Sequence, residues 1–151
     1  MNIDLTDTQI LTHLQNDGRL SNVELAEKVH LSASPCLRRV KQLESAGVIK
    51  GYRASLNRRK VGLSITVFIE VRLNCHTSEA TEMFERSVAS LPNVISAFLV
   101  SGHADYRLEV VSKDLIQYED ILKTIQNLPH VKDIHSNFAI RAIKSDAPLP
   151  L

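Results

Sequence analysis

Residues 21–53, SNVELAEKVHLSASPCLRRVKQLESAGVIKGYR, place two short helical patterns around a three-residue turn. Ser21 and Glu24 have the spacing of a capping box at the start of the first helix. The turn follows at residues 30–32, and a second, basic helix then runs until Gly47. This order predicts a helix-turn-helix, whose second helix has the size and charge to enter the major groove of duplex DNA.

Basic side chains are concentrated in this part of the chain. Lys28–Lys60 contains nine Lys or Arg residues and a single acid, Glu44, although the whole chain of 151 residues carries a net charge of only +1. Residues 1–60 have a net charge of +4, and residues 61–151 have a net charge of −3. The first part is therefore suited to a polyanion, whereas the second part is slightly repelled by one.

The basic helix also predicts which side chains meet DNA. Cys36, Val40 and Leu43 share one face and should be buried, so the basic residues project elsewhere. Arg can make paired bonds to guanine, while Lys or backbone amides can hold phosphates, and a serine can cap the helix. The predicted DNA-binding residues are Ser32, Ser34, Arg38, Arg39, Lys41, Lys50 and Arg53.

An earlier helical pattern completes a unit of three helices. Thr6 and Gln9 have the spacing of another capping box, with Leu5 just outside as a hydrophobic staple. The pattern stops at Asp17 and Gly18, where glycine permits a left-handed helix end.

The remaining sequence repeats a β-α-β order. Residues 65–74 alternate between apolar and more polar side chains, which predicts a strand. A helical pattern leads to a Leu-Pro-x-Val corner at Leu91, and the corner recurs 37 residues later at Leu128. Between them come a short strand, a strand at residues 106–112 and a second helix, and a last strand runs to Ile143. The predicted fold class is α+β, a helix-turn-helix followed by a ferredoxin-like βαββαβ sandwich.

Two helices on one face of a four-stranded sheet would leave the other face uncovered. We expect Phe68, Leu99 and Ala139, or similar apolar residues, to need a cover. A second copy of the chain is the simplest cover, so we expect a homo-oligomer.

The sequence favours neither an enzyme nor a membrane protein. It has no nucleophile elbow, Walker loop or H-x-x-H pair, so we expect no catalytic residues and no cofactor. Cys36 and Cys75 are too few for a disulfide framework. The start does not resemble a signal peptide and no apolar run is long enough to cross a membrane, so we expect a cytoplasmic protein. We expect no metal site, because four histidines are spread over different loops and strands: His76, His103, His130 and His135.

Several motifs together resemble the Lrp/AsnC family of transcriptional regulators, also called feast/famine regulators. They occur in the family's order and cover almost the whole chain. The matching stretches are Gln15–Arg19, Val23–Ala26, Leu31–Ser32, Ser34–Cys36, Arg39–Val40, Leu43–Glu44, Gly47–Tyr52, Leu99–Gly102 and Asp105–Tyr106.

The resemblance implies a regulator of amino-acid metabolism that binds double-stranded DNA. Because a dimer presents a pair of helix-turn-helix units, we expect an inverted-repeat operator. The resemblance also implies a DNA-binding domain at residues 1–49, a hinge strand and linker at 50–61, and an effector-binding and oligomerisation (RAM) domain at 62–151. Homodimers of such proteins commonly assemble into octamers, and a small amino-acid effector binds between dimers. The residues that the resemblance assigns to effector binding are Gly102, His103, Asp105, Tyr106, Ser136 and Phe138.

Two positions depart from the family's usual pattern. His30 stands where the family usually has Gly, so the turn requires a positive φ from a histidine. His103 stands where family members often have an acid, so the effector's identity does not transfer. An effector-independent architectural protein that wraps DNA is therefore the alternative, and an enzyme with an appended DNA-binding domain is a third hypothesis.

Overall fold

The computed structural model describes residues 2–151, and these form two compact units. The first unit contains the residues up to Ser55 together with Lys144–Leu151, and the second unit contains Leu56–Ile143. The last eight residues thus group with the N-terminal unit, although the sequence assigns residues 62–151 to one domain.

Three helices form the first unit: α1 (Leu5–Asn16), α2 (Asn22–Lys28) and α3 (Ala33–Ser45). They enclose one cluster of buried apolar side chains, and this cluster confirms the predicted helical stripes. Its members are Ile10, Leu11, Leu25, Ala26, Val29, Cys36 and Leu43. The helix-turn-helix prediction is confirmed.

The start of α1 differs from its prediction. Asp4 is the N-cap and forms a capping box with Asp7, whose N–H donates to Asp4 Oδ1 at 2.8 Å. The box predicted at Thr6 and Gln9 is wrong because Thr6 already lies inside the first turn. Leu5 is 85% exposed and does not act as a staple.

The end of α1 does not use a left-handed glycine. Asp17 ends the helix in an extended conformation (φ −143°), and its N–H donates to the His13 carbonyl at 2.9 Å. Gly18 does not have a positive φ. It lies beside Tyr52, and a Cβ at Gly18 would be 3.5 Å from Cδ1 of that ring, an ordinary van der Waals contact.

The turn between α2 and α3 agrees more closely with the sequence. The capping box of Ser21 and Glu24 is confirmed at the start of α2. His30 has a φ of 54°, so a histidine does occupy the left-handed conformation that the turn requires. α3 ends at Ser45, and Gly47 then adopts a φ of 71°, which allows the chain to turn away.

The second unit is a four-stranded sheet with two helices. Its elements are β1 (Ile65–Leu73), α4 (Ser78–Ala89), β2 (Val94–Leu99), β3 (Tyr106–Ser112), α5 (Leu115–Gln126) and β4 (Val131–Phe138). The strand order is β2-β3-β1-β4, and all neighbouring strands are antiparallel. This order confirms the ferredoxin-like prediction.

β4 is shorter than its prediction, which extended the strand to Ile143. The N–H of Ala139 still donates to the Thr66 carbonyl at 2.9 Å. β1, the antiparallel neighbour of β4, begins at Ile65. The residues after Ala139 therefore have no strand residue opposite them, and the chain leaves the sheet.

One face of the sheet packs against α4 and α5 and holds the core of this unit. The core side chains include Val67, Ile69, Val71, Phe84, Tyr106, Leu108, Val110 and Ile125. Residues 65–74 therefore alternate as predicted, with the apolar positions of β1 facing the helices.

The opposite face, here called the open face, carries polar and aromatic side chains. By strand register it contains Thr66, Phe68, Glu70, Arg72, Ser96, Phe98, Arg107, Glu109, Val111, Asp133, His135 and Asn137. Phe68 lies on this face as expected, with the Arg107 guanidinium 4.8 Å from its ring centre. The prediction for Leu99 is wrong, because Leu99 pairs with Tyr106 on the helix side and Phe98 takes the open face.

The segment before β1 covers one end of the open face. Arg58 Nη1 donates to Glu109 Oε1 at 2.8 Å and to Thr66 Oγ1 at 3.3 Å. Residues 50–56 form no strand within the single chain, so a hinge strand that pairs with a second subunit stays a prediction. None of the helices in residues 2–151 is long and apolar enough to cross a membrane.

Candidate DNA-binding and effector sites

One side of α3, here called the α3 face, is exposed and basic. Its side chains recur at steps of three and four residues and border a shallow depression: Ser34, Leu37, Arg38, Lys41, Gln42 and Ser45. The other side of the helix buries Cys36 and Leu43. Arg38 and Lys41 are exposed and form no ion pair with any residue from 2 to 151, so their charges are free to meet an external anion.

Sequence reasoning missed three members of the α3 face. Leu37, Gln42 and Ser45 were not predicted, although they follow Ser34 and Arg38 at helical spacing. Leu37 is 42% exposed, which is unusual for leucine on a polar helix face, and it adds an apolar contact beside the two cations. Periodicity counted from Ser34 and Arg38 together would have found all three.

Arg39 has a different environment from its neighbour Arg38. Its Nη1 donates to Asp4 Oδ2 at 2.7 Å and to Asp7 Oδ1 at 2.8 Å. Asp7 is 4% exposed, so this guanidinium neutralises a buried carboxylate at the start of α1. The carboxylates, Asp7 first, raise the pKa of Arg39. The structure therefore places Arg39 in a contact between α3 and α1 and not on the α3 face.

The other predicted DNA-binding residues lie at the two ends of α3. Ser32 is the N-cap but its side chain forms no capping hydrogen bond, and Ser34 is exposed in the first turn. The first amide groups of a helix lack partners within the helix, so this end favours an anion. Lys50 and Arg53 are exposed and follow the turn at Gly47, outside α3.

The loop of residues 100–105 between β2 and β3 is attached to β1 through Asp105. The N–H of Leu73 donates to Asp105 Oδ2 at 2.7 Å, and the N–H of Asp105 donates to the Val71 carbonyl at 3.0 Å. His76 Nε2 lies 3.0 Å from Asp105 Oδ1. The Leu73 amide first, and then His76, lower the pKa of the Asp105 carboxyl group. Asp105 is thus already engaged by main chain and side chain.

Gly102 and His103 form the exposed tip of this loop. Gly102 has a φ of 117°, a conformation that favours glycine, and a Cβ there would meet no atom within 4 Å. The backbone conformation therefore favours glycine at this position, and the space beside its Cα is open. His103 borders two adjacent hollows at this end of the open face.

The two hollows share Glu70, His103 and Ala104 and together form a groove with charges of both signs. The first, of about 540 Å³, is also lined by Leu99, Val100, Ser101 and Arg107. The second, of about 480 Å³, is also lined by Arg72, Asp133, Ile134 and His135. Acidic and basic side chains side by side match a zwitterion. The sequence did not single out Glu70, Arg72 or Arg107, whose outward-facing positions on β1 and β3 were the available signal.

Three of the predicted effector residues lie on the helix side of the sheet. Tyr106 is 4% exposed, and its hydroxyl donates to Glu85 Oε1 at 2.9 Å; burial, then Glu85, raises its pKa to about 12. Ser136 Oγ accepts a hydrogen bond from Tyr118, whose ring centre lies 5.0 Å from that of Phe138. These three side chains are separated from His103 by the sheet, because Val67, Ile69 and Val71, their partners on β1, also face the helices.

A smaller cavity of about 290 Å³ lies on that helix side, between α4 and β2. It is lined by Phe84, Glu85, Val88, Ala89, Ala97, Phe98, Leu99 and Tyr106. Its walls are mostly apolar, and Glu85 supplies a carboxylate. Of the predicted effector residues, His103 thus lines the groove on the open face and Tyr106 lines the cavity on the helix side.

Within residues 2–151, no group of three or more His, Cys, Asp or Glu side chains has a geometry that could hold a metal ion. Both cysteines are free thiols, with Cys36 buried in the core of the first unit. Burial raises the pKa of the Cys36 thiol, as for a packing residue.

Both units match described families of domains. Residues 3–50 match the winged helix-turn-helix DNA-binding family, and residues 66–149 match the Lrp/AsnC ligand binding domain. The chain belongs to the Lrp/AsnC family. Its members combine the same two domains, so the helix-turn-helix and the ferredoxin-like sheet are the family's DNA-binding and ligand-binding parts.

Relatives within the Lrp/AsnC family match almost the whole chain. A "Leucine-responsive regulatory protein" of Rhizobium meliloti is 41% identical over 143 residues, which cover 94% of this chain and 92% of the relative. A "Bkd operon transcriptional regulator" of Pseudomonas aeruginosa is 40% identical over 150 residues, covering 99% and 98%. These relatives are transcriptional regulators, so this chain is similar to regulators over its full length.

A solved structure of a family member has nearly the same fold. The transcriptional regulator NMB0573 of Neisseria meningitidis, solved as a complex with L-Met, has a TM-score of 0.92 and 41% identity, with 99% of this chain and 97% of that chain covered. An AsnC family transcriptional regulator from Agrobacterium tumefaciens also has a TM-score of 0.92, at 37% identity, with coverage of 97% and 96%.

Proposed function

We propose that this protein is a sequence-specific DNA-binding regulator of amino-acid metabolism whose operator affinity is modulated by a small amino acid. The observation that carries the proposal is the pair of unpaired cations, Arg38 and Lys41, on the α3 face of a chain that also contains the family's ligand-binding domain. We infer that the protein acts in the cytoplasm, where it meets DNA, and that it has no catalytic role.

DNA recognition is assigned to α3 and its ends. Arg38 and Lys41 project from the middle of the helix, where they can reach base edges or phosphates. Ser32 and Ser34 lie beside the free amides at the start of α3, so we assign them to a phosphate. Lys50 and Arg53 contribute general attraction to the DNA backbone. Arg39 is reassigned, because its bonds to Asp4 and Asp7 position α3 against α1.

A homodimer is the assembly that best accounts for the open face. Phe98 is 64% exposed, and Phe68 and Arg107 lie beside it on the same face. A second copy packed against these rings would remove them from water. Two copies present two α3 helices, so we expect an inverted-repeat operator. Further assembly to an octamer, and pairing of residues 50–61 with the partner, belong to the same proposal.

A double substitution tests the DNA-binding assignment. Arg38→Ala with Lys41→Ala is compared with Arg86→Ala with Lys132→Ala, which removes two exposed cations from the second unit. The probe is a duplex selected by the wild type from a random pool, and its affinity is measured by fluorescence anisotropy at about 0.15 M salt.

The α3 variant should lose at least about tenfold in affinity for the selected duplex, since a base contact contributes roughly 1–3 kcal/mol. The control should stay within about twofold. Equal losses in the two variants would mean that only total charge matters, and the assignment of α3 would be wrong.

The effector is assigned to the groove beside Gly102 and His103. Arg72 and Arg107 can bind an α-carboxylate, and Glu70 can accept an α-ammonium group. Asp105 is assigned a positioning role: it holds the loop of residues 100–105 against β1 and does not itself contact the effector. The complex of NMB0573 with L-Met makes L-methionine the first amino acid to test.

A thermal-shift panel of the twenty amino acids tests this assignment. An amino acid at one hundred times its Kd adds about 2.7 kcal/mol of stability, which raises the Tm by a few degrees. Arg72→Ala should abolish the response, and Lys132→Ala, which removes an exposed cation outside the groove, should keep it. A panel with no response would favour the architectural, effector-independent protein.

A further inference from the structure

The last residues of the chain are hydrogen-bonded to Gln15 of α1. Gln15 Oε1 accepts a hydrogen bond from the Leu149 N–H at 2.7 Å, and Gln15 Nε2 donates to the Leu149 carbonyl at 3.3 Å. Both bonds use main-chain atoms of Leu149. The side-chain amide of Gln15 thus pairs with one residue in the way that a neighbouring β-strand would.

The sequence around Leu149 suits this contact. Pro148 and Pro150 have no N–H, so Leu149 supplies the single amide donor of residues 148–150. The prolines also keep this stretch extended, which lowers the entropy lost on docking. The Leu149 side chain is 69% exposed, so apolar burial contributes little and the two hydrogen bonds define the contact.

After β4 the chain returns to the unit that contains α1. The chain leaves β4 at Phe138, and residues 144–151 belong to the compact unit that contains α1. Asp146, with a φ of 52°, turns the chain shortly before the contact. The ligand-binding and DNA-binding units are therefore joined twice, once by the segment between α3 and β1 and once by the residues after β4.

We propose that residues 144–151 act as a strap, docked on α1 by Gln15, that restricts reorientation of the DNA-binding unit. The inference rests on the proposed function, because its benefit arises when a dimer places two α3 helices on two half-sites. A restrained unit loses less orientational freedom in the second binding event, so binding of paired half-sites is favoured. Gln15 is a positioning residue, since it lies on α1 and not on the α3 face.

Amide hydrogen exchange of the full-length protein tests the docking without any DNA. Gln15→Ala should speed exchange of the Leu149 amide about three- to tenfold, as expected for loss of one modest hydrogen bond. Leu149→Ala should keep the protection, because the contact uses main-chain atoms. Gln9→Ala, an exposed glutamine on the same helix, is the matched control and should change nothing. A Leu149 amide that exchanges in the wild type as fast as in an unfolded peptide would overturn the strap.

DNA binding tests the positioning role. The probes are the selected duplex with two half-sites and a duplex in which one half-site is scrambled. Gln15→Ala should weaken binding to the paired half-sites about three- to tenfold and leave binding to the single half-site unchanged. Leu149→Ala and Gln9→Ala should match the wild type on both duplexes.

Equal losses on the two duplexes, or no loss on either, would overturn the positioning role. A wild type that selects no duplex would contradict the proposed function and the positioning role together. The exchange experiment would still decide whether the strap docks.

Discussion

Arg38 and Arg39 are adjacent residues of one type that occupy different environments. Arg38 projects from the α3 face, whereas Arg39 binds the carboxylates of Asp4 and Asp7 at the start of α1. One helical step of about 100° separates them, and the acids lie more than thirty residues away in sequence. Composition and spacing identified the basic helix but could not say which arginine has a partner within the chain.

Arg39→Ala should destabilise the first unit, while Arg38→Ala should leave its stability nearly unchanged. Loss of the guanidinium leaves the Asp7 carboxylate buried without its cation, whereas Arg38 has no partner to abandon. Urea unfolding followed by far-UV circular dichroism measures the difference. Equal midpoints for the two variants would show that the contact with Asp7 contributes nothing.

Asp105 predicts a dependence of stability on acid. The Leu73 amide, and then His76, depress the pKa of Asp105 in the folded state. Its contribution is therefore fully present above the unfolded value of about 4 and is lost as the pH falls through the lower folded value. Asp105→Asn should reduce the loss of stability below about pH 4, as measured by urea unfolding at several pH values. An unchanged slope in that variant would contradict this role of Asp105.

At the scale of elements, the sequence predicted most helices and strands correctly. It predicted less well on which face of the sheet a side chain lies. The bounds of β3 and the order of all four strands follow from periodicity and from the two Leu-Pro-x-Val corners. The faces of Tyr106, Ser136 and Phe138 depend on pairing with β1, which no local pattern specifies. For the same reason Leu99 was assigned to the wrong face.

Replacing histidine by glycine should have opposite effects on stability in the turn between α2 and α3 and inside α1. His30 has a φ of 54°, which costs a residue with a Cβ roughly 1–2 kcal/mol. His30→Gly should therefore stabilise the protein by about 0.5 kcal/mol or more, after the greater flexibility of the unfolded chain is subtracted. The same change inside α1, His13→Gly, should destabilise it by roughly 0.5 kcal/mol. Chemical denaturation of both variants decides, and a loss of stability in His30→Gly would contradict the argument.

At the scale of the whole molecule, the uneven distribution of charge agrees with two domains of different roles. The basic N-terminal part contains the α3 face, and the acidic part contains the open face and the groove. The sequence predicted this division and the uncovered sheet face. It could not predict that the last eight residues group with the first unit, because two hydrogen bonds to Gln15 leave no periodic signal.

A charged residue on the open face should weaken the dimer. Phe98→Glu should shift the protein towards monomers at micromolar concentration, because a carboxylate would be buried in the dimer interface. Leu5→Glu changes another exposed apolar residue, on α1, and should leave the assembly unchanged. Sedimentation velocity distinguishes the two, and an intact dimer in Phe98→Glu would mean that the open face is not the interface.

The most direct test of an amino-acid-responsive regulator is a measurement of reciprocal coupling. Operator affinity is measured with and without the amino acid that gives the largest thermal shift, and the affinity for that amino acid is measured with and without operator. We expect the same factor in both directions, about 5- to 150-fold for typical coupling energies. Tight operator binding that is unchanged by every amino acid would contradict the account and identify an architectural DNA-binding protein.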